Sequence, residues 1–461
     1  MTRPSNLAAR DIETLIHPYT NLAAFRDTGP LLLERGKGVF VYDDAGNAYL
    51  EGMAGLWCTA LGYGNEELVE AAAAQMRKLP FAHLFSGKSH DPAIELAERL
   101  KEIAPVPISK VFFCNSGSEA NDTQIKLVWY MNNALGRPRK KKIISRIKGY
   151  HGVTIASASL TAIPNNQIDF DLPIANILHT ACPHHYRYAA EGESEEEFST
   201  RLAGELESLI EREGPDTVAA FIAEPVMGAG GVIVHPKGYF EKIAPICERY
   251  DLFVISDEVI CGFGRLGRMF GSEAVGFRPH SISIAKALSS AYLPIAGVMV
   301  PETMYQAMLE ESRRIGTFGH GFTYSGHPVA AAVALKTLEI YARERIVEQV
   351  AAKAPLFQKR LKALGGHPLV GEARGLGLIG AVELVADKTT RRPFDPPLAV
   401  GPTCVRLAQE EGLIVRVIAG DTISLCPPLV ISPQEIDELF DRLGRALDRT
   451  LDWATREKLM A

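Results

Sequence analysis

Lys286 closes the run Ser281-Ile282-Ser283-Ile284-Ala285-Lys286, which is apolar at alternate positions and reads as a short buried strand. A full positive charge at the inner end of such a strand is costly unless it is paired, solvated or neutralised. Burial lowers an amine's pKa, and a neutral lysine is a nucleophile that condenses with carbonyls to a Schiff base. Asp257, 29 positions earlier, closes a second apolar run, Phe253-Val254-Ile255-Ser256-Asp257. That interval fits one strand-crossover-strand unit, which would set both residues at the ligand-binding edge of a parallel sheet. A Schiff-base lysine with an acid for a pyridinium nitrogen is what pyridoxal phosphate requires. Taken alone, the pair is weak evidence, because most strand-end lysines simply reach solvent.

Three other stretches suit an anion or a flat ring. Asn115-Ser116-Gly117-Ser118-Glu119-Ala120-Asn121 joins a strand to a helix, and its small residues would offer free amides, hydroxyls and the positive end of the helix dipole to a phosphate. An ordinary N-cap at Ser116 or Ser118 is the plain alternative. The pattern is neither a glycine-lysine nucleotide loop nor G-x-G-x-x-G. Tyr150, between glycines in Gly149-Tyr150-His151-Gly152, can lie flat over a planar ring or pack in the core. The glycine-punctuated Gly319–Pro328 stretch, which includes Phe322 and Thr323, suits anion contact or a tight turn.

The elements that must position these residues alternate. Strands are expected at 110–114, 142–146, 218–223, 252–256, 281–285 and 295–300. Most are nearly continuously apolar and are separated by helices, as in a mostly parallel sheet covered on both faces. Helices are expected at Glu66–Leu79, at Pro92–Ile103 with Asp91 as N-cap, from Glu119, and at Val329–Ala342. Residues 1–60 read as short strands with little helix, and Gly377–Leu384, Leu413–Val417 and Thr422–Cys426 as strands of an antiparallel region. The expected division is a large domain at 61–328 and a smaller α+β domain built from 1–60 and 329–461.

Composition narrows the class. The 461 residues are 47% hydrophobic and 23% charged, as in a globular protein. A net charge of -6 gives no reason to expect nucleic acid or an anionic membrane as partner. The basic run at 137–142 and the acidic run at 191–197 read as solvated connections. Seven cysteines without C-x-x-C favour a reducing compartment, and His184-His185 alone does not make a metal site, so no metal is expected. With no basic start followed by an apolar run, and no membrane-length apolar stretch, the cytoplasm is expected.

Together, Asn115–Asn121, Tyr150-His151-Gly152, Glu224-Pro225-Val226, Asp257-Glu258-Val259 with Gly262-Phe263-Gly264-Arg265, Lys286 and Thr323–Pro328 stand in the order found in class III pyridoxal-phosphate aminotransferases. The resemblance covers essentially the whole chain. It is nearest to the bacterial amine:pyruvate (omega-) aminotransferases, given Leu56-Trp57, Phe85, Tyr150-His151-Gly152-Val153 and Arg416. It implies the fold type I, aspartate-aminotransferase-like α/β architecture with a seven-stranded, mostly parallel sheet. By resemblance Lys286 would hold the cofactor and shuttle the proton, and Asp257 would keep the pyridine nitrogen protonated. Val259 and Tyr150 would sandwich the ring, with His151, Glu224 and Phe322 beside it. Ser116, Gly117 and Ser118 would bind the phosphate, joined by Thr323 of a second subunit in a homodimer or a dimer of dimers. Lysine suits the role of base because the proton sits on the carbon it has just released.

Arg416, in the strand-like Leu413–Val417, resembles the residue that forks onto a substrate carboxylate and swings aside for an apolar amine. A structural ion pair is the alternative. In γ-aminobutyrate- and ornithine-type relatives a second glutamate latches that arginine, whereas this chain has Ala229 at the matching place. With Leu56, Trp57, Phe85, Tyr150 and Val153 lining the pocket, the expectation is an amine:pyruvate aminotransferase. It would take a primary amine or omega-amino acid and pyruvate to L-alanine by a ping-pong route, S-selective by resemblance. An enzyme dedicated to a diamine, polyamine or omega-amino acid such as β-alanine, a glutamate-1-semialdehyde-type aminomutase and a non-enzymatic binder are the alternatives.

Overall fold

The computed structural model describes residues 6–460. Its centre is a seven-stranded sheet in the order 110–114, 296–300, 281–284, 253–257, 218–223, 142–146, 177–180. All neighbours are parallel except the 296–300 strand, which runs against both of its neighbours. Val218–Ala223, Phe253–Asp257, Ser281–Ile284 and Ala296–Val300 are buried at every position, so none of them turns a face to solvent. Successive residues still part to opposite sides. Ala220, Ile222 and Ile255 pack with Ile125, Leu127 and Val128 of the Gly117–Ala134 helix, whereas Phe221 and Val254 pack with Leu206, Phe240 and Ile243 of the Glu195–Glu213 and Tyr239–Arg249 helices. Phe221 is wholly buried, so Phe221→Ala should cost about 3–5 kcal/mol, read as an earlier denaturation midpoint.

Two four-stranded sheets flank this one. Leu33–Lys37, Phe40–Asp43 and Ala48–Glu51 form an antiparallel meander to which Leu413–Ile414 adds in parallel, so both ends of the chain share one sheet. Val370–Leu376, Ile379–Leu384, Thr422–Leu425 and Arg416–Ile418 form the other.

Several expectations need correction. Leu413–Val417 is two strands, because the chain changes sheets at Val415: Leu413–Ile414 pairs with Leu50–Glu51 and Arg416–Ile418 with Thr422–Ser424. The edge strand Ile177–Thr180 was not anticipated, being short, half-buried and interrupted by His179. The N-terminal segment contains the helices Asn6–Thr14 and Leu22–Thr28, the second capped by Asn21. Asp91 is not the N-cap of Asp91–Ile103. His90 takes that place, accepting the Ala93 amide through Nδ1, and Asp91 instead pairs with Lys78 at 3.1 Å. Nor is the acidic run a bare connection, since Ser194 and Glu197 form a capping box that opens the Glu195–Glu213 helix. In the basic run Lys140 is buried and donates to the Tyr250 carbonyl and to Asp251.

Candidate active site

At the C-terminal edge of the large sheet lies a cavity of about 350 Å³. Its walls include Ser116, Gly117, Ser118, Tyr150, His151, Glu224, Asp257, Val259 and Lys286, so the structure brings this part of the anticipated set together. The cause is topological. The 253–257 and 281–284 strands are parallel neighbours with Asp257 opposite Ser283, and the chain delivers Lys286 just beyond that register.

Lys286 opens the short 3₁₀ turn Lys286–Ser289 with φ +52°, a conformation that a non-glycine residue adopts only under constraint. Its amine is buried, and burial pushes its pKa down, against the opposing pull of Cys58, Asp257 and Glu224. The side chain therefore tends toward the neutral, nucleophilic amine. The carboxylate of Asp257 is held by three donors. Oδ2 accepts from Asn121 Nδ2 at 2.7 Å and lies 2.8 Å from His151 Nδ1, while Oδ1 accepts the Val259 amide at 3.1 Å. Asn121 also donates to the His151 carbonyl at 2.7 Å, tying helix, loop and strand together.

Ser116 caps the Gly117–Ala134 helix, its Oγ accepting the Glu119 amide at 3.2 Å. Ser118 Oγ accepts the Val153 amide at 3.1 Å, which leaves its own proton free to donate. Two glycines are required here. A Cβ on Gly117 would lie 3.0 Å from Val259, and one on Gly152 would lie 2.4 Å from Ser157 Oγ. Glu224 is fully buried, and burial pushes its carboxyl pKa up. Its oxygens accept the amides of Tyr150 at 3.0 Å and Gly228 at 2.9 Å, which positions the tyrosine and the turn carrying Ala229.

A side wall adjoins this edge. The Trp57 ring centre is 5.4 Å from Lys286 Nζ and 5.3 Å from Arg416 Cζ. Tyr19 lies 5.4 Å from the same guanidinium, donates to the Tyr150 hydroxyl at 3.4 Å and accepts from Asn166 at 2.5 Å. Arg416 is thus flanked by aromatic rings and the Tyr19 and Tyr150 hydroxyls, with no carboxylate partner among the described residues, so the ion-pair alternative finds no support. Ala229 packs in the cluster of Met53, Trp57 and Ile260, and Leu56 and Val153 are exposed nearby in sequence to Trp57 and Gly152.

Phe85, Phe322 and Thr323 do not line this cavity, and Leu56, Trp57, Val153, Ala229 and Arg416 also lie outside its lining. The exposed Phe85 lies against Gly321, where a Cβ would come within 2.7 Å of its ring, and Phe322 meets Phe112 and His320 edge-on. Sequence reasoning assigned no role to Asn121, although it stands in the quoted Asn115–Asn121 motif, and it passed over Tyr19 and Asn166, which no local pattern marks. His184, whose neighbour His185 bonds the Glu193 carbonyl, approaches Glu372 and Glu383. Arg374 and Arg187 neutralise those carboxylates, so the cluster is an ion-pair network.

The donor set fits pyridoxal phosphate. The buried Asn121 Oδ1 and His151 Nε2 have no protein partner, a buried amine and a buried carboxylate face one cavity, and an amide-rich helix start lies across it. The family model "Aminotransferase class-III" matches residues 23–447. Gamma aminobutyrate transaminase 1, mitochondrial, of Solanum lycopersicum is 51% identical over 95% of this chain and 85% of its own length. Gamma-aminobutyrate transaminase 1, mitochondrial, of Oryza sativa subsp. japonica is also 51% identical, over 95% and 84%. Among solved structures, the omega transaminase from Pseudomonas jessenii in complex with PMP superposes with a TM-score of 0.96 at 55% identity, covering 97% of this chain and 99% of that one. A thermostable omega transaminase engineered for asymmetric synthesis of enantiopure bulky amines gives 0.95 at 54%, covering 97% and 100%. The chain belongs to the class III aminotransferases and is a pyridoxal-phosphate-dependent transaminase of fold type I.

Proposed function

We propose that the chain is an amine:pyruvate (omega-) aminotransferase that moves an amino group from a primary amine or omega-amino acid to pyruvate, giving L-alanine by a ping-pong route with S selectivity. The observation that carries this reading is Arg416, set between the Trp57 and Tyr19 rings without a carboxylate partner. An unpaired guanidinium can fork onto the carboxylate of pyruvate, and the rings around it accept an apolar substituent when it turns aside.

Bound in the cavity, pyridoxal phosphate supplies a carbonyl that exchanges for the donor's amine and a ring that withdraws electrons from the donor's α-carbon. Lys286, whose amine burial biases toward the neutral form, would serve as the base that takes the proton from that carbon. Asp257, fixed by Asn121, His151 and Val259, would keep a proton on the ring nitrogen. Tyr150 and Val259 would hold the ring, and Ser116, Gly117 and Ser118 would hold the phosphate at the helix start. Phe85, Phe322 and Thr323 serve the site of a second copy in a homodimer. Exposed Phe81, Phe85 and Tyr324 beside them support that assembly. The sheet shared by residues 33–51 and 413–414 supports the division at about residues 60 and 328. No described helix is long and apolar enough to cross a membrane, and we place the protein in the cytoplasm.

A second reading, an enzyme dedicated to an omega-amino acid, is favoured by the γ-aminobutyrate transaminase names of the curated relatives. A donor panel with pyruvate, followed by L-alanine formation, decides between them. Turnover of aryl and alkyl primary amines supports the first reading. Reaction of carboxylated donors alone overturns it in favour of the second.

A further inference from the structure

Glu51 ends the Ala48–Glu51 strand and is 3% exposed. Its Oε1 accepts the Met53 amide at 2.9 Å, and Oε2 accepts the Tyr63 hydroxyl at 3.3 Å. Ala54 and Trp57 follow in strained conformations, with φ of +47° and +59°. Such conformations persist only where the surroundings impose them. The indole of Trp57 contributes no anchor of its own, because Nε1 is buried without a partner. The ring's place is therefore set by its backbone and by packing on Met53, Val226 and Ile260. The same strand end also governs Arg416. Glu51 pairs with Ile414, the Gly52 amide donates to the Ile414 carbonyl at 2.9 Å, and a Cβ on Gly52 would lie 2.8 Å from that oxygen. Arg416 follows two residues later. Burial pushes the Glu51 carboxyl pKa up to about 7, a penalty that an apolar residue would not carry and that nothing in the chemistry at Lys286 requires.

We propose that Glu51 is a positioning residue for donor selection: its carboxylate fixes the Met53–Trp57 turn against the 413–416 segment and so sets the Trp57 ring relative to Arg416 and Lys286. The inference rests on the reading of Trp57 and Arg416 as the substrate wall.

The test is a double-mutant cycle on the cofactor-loaded enzyme, with E51A, W57G and the double variant. Single-turnover rates are followed by cofactor absorbance with (S)-1-phenylethylamine and with L-alanine. E51A should keep the cofactor band, change the L-alanine rate by less than about threefold and lower the aryl amine rate about tenfold. E51Q should restore most of the ratio, since its amide oxygen still accepts the Met53 amide. In the W57G background, where glycine tolerates the positive φ, E51A should shift the ratio by less than about twofold. An equal fall with both donors, or a full E51A effect without Trp57, overturns the proposal. Should E51A not fold, Y63F removes one donor and leaves the carboxylate in place. It must move the same ratio by about threefold, and an unchanged ratio overturns the proposal. If the wild type rejects every aryl amine, the amine reading fails. γ-Aminobutyrate then replaces the aryl probe, and the cycle still decides the role of Glu51.

Discussion

Asp257 ends one strand and Lys286 follows its parallel neighbour by two residues, on a 3₁₀ turn anchored by strands held in register by paired backbone groups, whereas Trp57, Tyr19 and Arg416 stand on short segments, Arg416 on a strand of three residues. The first region is knitted across the sheet: Asn121 from a helix, His151 from a loop and Val259 from the same chain run all bind one carboxylate. The second is assembled from three distant segments of the chain, joined by ring contacts and single hydrogen bonds. The proton-transfer chemistry thus rests on the part of the fold that is hardest to move. Donor choice rests on the part that tolerates adjustment, so substitutions in the two regions should fail in different ways.

The largest effect should come from the sheet edge. Lys286→Ala removes the base and the cofactor's covalent anchor together, so transamination should fall by at least about 10³-fold for every donor, with loss of the cofactor's absorbance shift. A residual rate that differed strongly between donors would erase the distinction between the two regions. Arg416→Ala should act on one half-reaction. The rate with pyruvate should fall about a hundredfold, as expected for loss of a bidentate carboxylate contact, while the half-reaction with an apolar amine changes by less than about threefold. Equal losses in both halves would remove Arg416 from the substrate wall.

The same contrast decides what the sequence disclosed. Lys286 and Asp257 were legible because an apolar strand that ends on a charge is a local conflict, and local conflicts mark sites. The phosphate turn was legible as small residues at a helix start. Within that motif Asn121 went unassigned, since only the fold turns its amide toward Asp257. Tyr19 and Asn166 meet across 147 positions, and nothing in either neighbourhood announces the contact. Leu413–Val417 read as one strand because apolar periodicity records burial and not which sheet receives the residue. The strand Ile177–Thr180 was hidden by its half-exposed edge position. The resemblance puts Phe85 in the pocket, whereas the structure sets it against Gly321 outside the cavity, a placement that no local pattern announces.

Two buried carboxyls, one in each region, sharpen the comparison through pH. Glu258, beside Asp257, accepts the Gly271 amide at 2.8 Å and the Ser272 amide at 2.7 Å, yet burial outweighs these and pushes it up to about 7, as it does Glu51. Both folded values lie above the ordinary 4.5, so the folded chain holds each proton more tightly than the unfolded chain. Their stabilising contribution is complete below about pH 4.5 and is lost as pH rises through about 7, by up to about 3 kcal/mol each. Lys286, depressed by burial, acts in the opposite sense, losing stability as pH falls. Denaturant midpoints between pH 4.5 and 8 should therefore decline less steeply in E258Q and in E51Q than in the wild type. Of the two positions only Glu51 should also govern the donor ratio, through E51A and not the conservative E51Q, and a donor shift in E258Q would mean that the edge and the wall are mechanically one.

The smallest expected effect belongs to Tyr19→Phe. The substitution keeps the ring beside Arg416 and deletes the hydroxyl that accepts from Asn166 and donates to Tyr150. The 3.4 Å contact with Tyr150 is long and weak, so the loss is mainly that of the Asn166 bond. A neutral hydrogen bond contributes on the order of 0.5–1.5 kcal/mol, so the ratio of aryl amine to L-alanine rates should move about threefold. Asn166→Ala should reproduce that shift without touching substrate, because it cuts the same tether from the other end. Tyr19→Ala, which also removes the face that the guanidinium meets, should exceed both. Cofactor retention should be unaltered in all three variants, since none of these groups contacts the Asp257 network. A weakened cofactor in Tyr19→Phe would show that the hydroxyl pair of Tyr19 and Tyr150 carries strain from the wall into the ring site, and the two regions would then have to be treated as one coupled unit.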